Sequence, residues 1–134
     1  MSKRYDILAN IGTTIAAVSG INQVETGKWS EVDLKDLTLP VAFIILGTDE
    51  ISPPPAGYEQ FWIPAVVEVF CKDSDMESLI AAIHAAMLVD VTRGGHALQT
   101  DRETCDPFAV DPTRGLAGFD LTFKIQYRHP VGQP

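Results

Sequence analysis

The chain has 134 residues, 46% apolar and 21% charged, which suits a single domain (1–134) with one core and excludes global disorder. Its formal net charge of −8 argues against a protein that grips nucleic acid, because gripping phosphates takes Lys and Arg to displace counterions. No apolar run approaches the ~20 residues of a membrane helix; the longest, Val41–Leu46, is strand-sized.

Met1–Asp6 holds no continuous apolar stretch and no small-residue cleavage site, so no signal peptide is expected. Ile7 or Leu8, Ile11, Ile15 and Val18 recur at spacings of three and four, which predicts an amphipathic helix over Lys3–Val18. Ser2 is placed to cap it, and Ser19-Gly20 to end it. A weak strand is expected over Val24–Trp29, then a connecting loop from Glu31 to Leu39 that Pro40 closes.

Val41–Leu46 does not alternate and reads as a strand buried on both faces. Gly47–Tyr58 is expected to be a loop stiffened by Pro53-Pro54-Pro55. In the strand Phe61–Lys72, Ile63, Ala65, Val67, Val69 and Cys71 face one way, while Trp62, Val66, Glu68 and Phe70 give a partly wet face. Pro64 has no N–H for the ladder and marks an edge or a bulge. The two strands form a hairpin with a long tip.

Ser74-Asp-Met-Glu77 has the spacing of a capping box. The helix Met76–Val89 follows, its buried stripe made of Leu79 or Ile80, Ile83 and Met87, with or without Leu88. Gly94-Gly95 ends the turn after it. Ala97–Thr104 reads as a polar, one-sided or edge strand, and Cys105–Gly118, with Asp106-Pro107 and Asp111-Pro112, as a long loop. Phe119–Tyr127 alternates strictly, with Phe119, Leu121, Phe123, Ile125 and Tyr127 inward. The expected fold is α+β: an antiparallel or mixed sheet of four to five strands with two helices packed on one face.

No catalytic constellation emerges. There is no Gly-x-Ser-x-Gly elbow, and His84 has Ile80 and Leu88, not carboxylates, at helical spacing. It reads as a partly buried structural histidine. Cys71, His84, His96 and Cys105 lack the paired spacing of a zinc site. Gly94-Gly95 follows a helix and precedes no Lys-Ser/Thr pair, so it is no phosphate loop. Two cysteines are too few for a disulfide framework and fit a reducing compartment. No enzyme, metal or cofactor is expected. A small enzyme using His84 or His129, and a ligand-binding α+β module with an apolar cavity, are the competing classes.

The order α–β–β–β–α–β–β resembles the tail-terminator (tail-completion) proteins of long-tailed bacteriophages. The likeness is strongest at Leu79–Gly95, where a helix ends in Asp90-Val-Thr-Arg-Gly-Gly95, and at Phe119–Tyr127, an alternating strand ending in an aromatic residue. The opening amphipathic helix also fits. The resemblance implies a homohexameric ring at the head-proximal end of the tail, assembled in the host cytoplasm. One face would meet the major tail tube protein and the other a head-completion or neck protein. DNA would pass through an acidic lumen without specific binding. A different head–tail joining protein is the alternative. The residues expected to carry contacts are Trp29, Pro54, Tyr58, Arg93, Asp101, Arg102, Glu103, Asp111, Arg114, Lys124 and Arg128.

Overall fold

The computed structural model describes residues 2–26 and 38–132. Residues 27–37 take in Trp29, most of the expected loop after Glu31 and the end of the first weak strand, which therefore lie outside the described residues.

Helix α1 spans Lys3–Ala16, and the Ser2 hydroxyl accepts the Tyr5 N–H at 3.2 Å, as a cap should. Ile7, Ile11 and Ile15 are fully buried. The helix stops two residues short of Val18, which still closes the apolar stripe from the following turn, 7% exposed. Helix α2 spans Met76–Val89 and buries Leu79, Ile83 and Met87. Its start corrects the expected capping box. Asp73–Asp75 form a 3-10 turn, so Ser74 lies inside a turn and not at the extended cap position. Asp75 precedes the helix without a side-chain cap bond.

Among the described residues, six strands form one mixed sheet: β1 Gln23–Thr26, β2 Val41–Leu46, β3 Glu50–Ser52, β4 Tyr58–Lys72, β5 Gln99–Asp111 and β6 Leu116–Pro130. The order is β1-β2-β4-β6-β5, with β3 continuing on β4 beyond β2. The β1–β2 pair is parallel and the rest are antiparallel. The α+β class with helices over one sheet face is thus observed, with one strand more than the upper expectation. Helix α1 lies over β1 and β2, and α2 over β6 and the fringe of β5. Ala42, Ile44, Ile63, Val67, Val69, Leu121 and Phe123 fill the space beneath them.

Two expected loops contain strand, the first in part and the second over most of its length. Within Gly47–Tyr58, Glu50–Ser52 pair with Gln60–Trp62, and β4 starts at Tyr58. Pro64 explains the break between β2 and β3. Its carbonyl accepts the Gly47 N–H at 2.7 Å, but it has no N–H to return. Arg4 donates to the Gly47 carbonyl instead, at 3.1 Å. Gly47, Thr48 and Asp49 then oppose only Ile63 and Pro64, a bulge inside the sheet and not an edge. A Cβ on Gly47 would lie 2.6 Å from Pro64 Cγ, so only glycine permits this approach. Arg4 also pairs with Asp49, which accepts the Tyr127 hydroxyl at 2.8 Å, tying α1 to the bulge and to β6.

The second correction is Cys105–Gly118. Strand β5 runs on to Asp111, and only a 3-10 turn, Pro112–Arg114, separates it from β6. Pro107 is tolerated because β5 is the edge strand. Gly115, at φ 67°, makes the reversal.

Candidate assembly surface

Strands β4 and β6 pair along their whole length, Tyr58 opposite Pro130 and Lys72 opposite Leu116. At ~3.3 Å per residue the two ends of this ladder are ~45 Å apart. Three of the sequence-derived candidates gather at one end. Tyr58 is 39% exposed, the Arg128 guanidinium lies 4.9 Å from its ring centroid, and exposed Pro54 is in the adjoining loop. Lys3 and His96 share a groove with this pair. At the other end Asp111 and Arg114 form an ion pair at 3.5 Å. The Thr113 hydroxyl donates to Asp111 at 2.7 Å and is the main cause of that carboxyl's lowered pKa.

Asp101, Arg102 and Glu103 lie near the start of β5, all exposed. They do not form one charged face. Asp101 stands opposite Lys124, which reaches Glu50 on β3 at 3.6 Å. Arg102 stands opposite buried Phe123 and so projects to the helix side, beside α2. Glu103 occupies the bulge between Arg102 and Thr104.

Arg93 is 1% exposed and offers no free surface. Its guanidinium donates to the Met87 and Asp90 carbonyls, capping the end of α2 from within. Burial lowers its pKa, partly offset by Asp90. Asp90 accepts from the Thr92 hydroxyl at 2.6 Å and from the N–H groups of Thr92 and Gly94 at 3.0 and 2.8 Å. The Asp90–Gly95 segment that carries much of the family resemblance is thus a helix stop.

The face away from the helices carries an acidic row. Glu68 on β4 stands opposite Asp120 on β6, which stands opposite Asp106 on β5. Burial raises the Glu68 pKa to about 7, helped by the hydrogen bond and charge of Asp120. One oxygen of Asp120 is buried without a partner. Beside the row, the rings of Phe43, Phe70 and Phe108 follow one another at centroid spacings of 5.9 Å.

A surface that the sequence-derived set touches only at Arg102 lies beside α2. Only Glu77, Ser78 and His84 are polar among its fourteen residues, yet Ala81, Ala85, Leu88 and Val89 are exposed. Ala81, Ala85 and Leu88, with Glu77, Ile80, His84 and Arg102, line a groove of about 440 Å³. The missed signal was that a helix apolar on nearly every side exceeds what one core covers.

The histidines form no hydrogen-bonded acid–base pair with a carboxylate among the described residues. His96 lies 3.8 Å from Asp6, and His129 lies 3.9 Å from Glu59. His84 meets Phe123 edge-on, and burial, then Arg102, lowers its pKa. No group of three His, Cys, Asp or Glu residues is placed to hold a metal ion among the described residues.

No protein-family model matches the chain, and no curated protein matches it by sequence. Among solved structures it is similar to a chain of the virion of the native gene transfer agent (GTA) particle. The TM-score is 0.56 at 12% identity, over 91% of this chain and 94% of that one. At that identity the likeness is one of fold, and it extends over nearly the full length of both chains.

Proposed function

We propose that the chain is a non-enzymatic structural subunit of a phage-like virion and acts as a tail terminator. In this reading six copies form a ring on the head-proximal end of the tail tube, stop its polymerisation and offer the head-joining surface. The observation that carries it is the near full-length fold likeness to a virion chain. The two ends of the β4–β6 ladder support it further. They differ in chemistry, Tyr58, Arg128 and Pro54 against Asp111 and Arg114, as a subunit gripping different proteins above and below requires. The net charge of −8 suits a lumen through which DNA slides without being held.

A neck or connector subunit is the second reading, since the same fold likeness suits any ring at the head–tail joint. Affinity capture separates the two. A terminator retains the tail tube protein from a lysate of tube-expressing cells. Retention of portal-side protein alone favours the neck, and retention of neither contradicts both.

A further inference from the structure

We propose that the groove between α2 and β5 receives the α1 edge of a second copy of this chain, so that copies join head to tail. The proposal rests on the ring reading and assigns the surfaces that close the ring.

The sheet is one strand wider than its helix layer. On β5, Arg102, Cys105, Pro107 and Ala109 are exposed, although Phe123, Leu121, Phe119 and Ala117 opposite them on β6 are buried. The flank of α2 facing this strip carries Ile80, Ala81, Ala85 and Leu88, the last 38% exposed. Something of apolar character is needed to complete the layer. An added strand is poorly suited, because the bulge at Glu103 and the missing N–H of Pro107 interrupt the free edge of β5. A surface bearing side chains suits it better.

Charge selects the occupant. Two copies of a chain with net charge −8 repel, so they meet best where each is locally neutral. The groove holds one Glu77 and one Arg102. At the opposite edge of the sheet, Tyr5 is 52% exposed beside Leu8, Ile45 and Leu46, around a notch of about 390 Å³. Among the described residues, the one charged side chain in that notch, Arg4, is paired with Asp49. Both patches are apolar and charge-balanced. They sit on opposite edges in the order β1-β2-β4-β6-β5, so their contact is heterologous and repeats around a ring.

The test uses Ala85→Glu in the groove and Tyr5→Asp on the α1 edge. Both are exposed helix positions, and circular dichroism melting checks that each variant folds. Assembly is scored by sedimentation and by occupancy of tail-tube ends. Wild type is expected to assemble, and each variant alone to associate at least about tenfold more weakly, because each buries an unpaired carboxylate. An equimolar mixture is expected to form a dimer, since each variant keeps the surface the other has lost. A variant that assembles like wild type, or a mixture that stays monomeric, overturns this assignment while leaving the ring reading intact. A wild type that forms no ring in solution or on tubes overturns both.

Discussion

Glu68 on β4 and Asp120 on β6 stand opposite each other on the open face of the sheet, and the Glu68 carboxyl holds its proton up to a pH of about 7. The folded-state pKa lies above the usual value of 4.5, so the folded chain binds more protons than the unfolded chain between those limits. Stability from this pair is therefore fully present below pH 4.5 and is lost as pH rises toward 7. The pair keeps contact with water, so the loss is discounted to about 1–2 kcal/mol. Glu68→Gln is expected to flatten this slope, matching wild type at pH 4 and exceeding its urea midpoint at pH 8. Equal midpoints at both pH values would show that the carboxyl pair does not share a proton.

Gly118 makes room for Phe108. A Cβ at Gly118 would lie 2.4 Å from the Phe108 ring and 3.0 Å from the Val69 carbonyl oxygen. Gly118→Ala is expected to destabilise by about 1–3 kcal/mol, through overpacking near the start of β6. Adding Phe108→Ala should recover part of this, because the flexible ring is then gone while the carbonyl contact stays. Urea denaturation of the single and double variants measures both. Purely additive losses would mean that the two residues do not compete for the same space.

Arg93→Ala removes the donor that caps the Met87 and Asp90 carbonyls and empties a buried site. The expected cost is about 2–4 kcal/mol, read as a lower melting temperature. Arg93→Lys should not restore it, because one ammonium cannot reproduce the planar fork that reaches both carbonyls. Wild-type stability in Arg93→Ala would return this residue to the surface set.

Periodic segments were legible in the sequence and exceptions to periodicity were not. Ile7, Ile11 and Ile15 mark α1, and the odd residues of Phe119–Tyr127 are buried as their alternation requires. Strand β5 was cut short because Asp106-Pro107 reads as a breaker, and it breaks only strands with neighbours on both sides. Beyond buried Thr100 its residues are mostly exposed on both faces, so no alternation marks them. Strand β3 was hidden because three residues beyond a bulge carry no pattern. Tyr58 and Arg128, 70 positions apart, were both among the sequence-derived candidates, yet their stacking arises only from the β4–β6 register. Arg93 was misplaced because a charged residue between polar and glycine neighbours normally faces water, and here the end of α2 takes it inward.

The most direct measurement of the central claim is electron microscopy of tail tube protein polymerised with and without this chain. The account predicts tubes of limited length, each carrying a closed ring of this protein at one end and failing to grow from that end when more tube protein is added. Tubes of unchanged length, with the chain left unbound and monomeric, would contradict it.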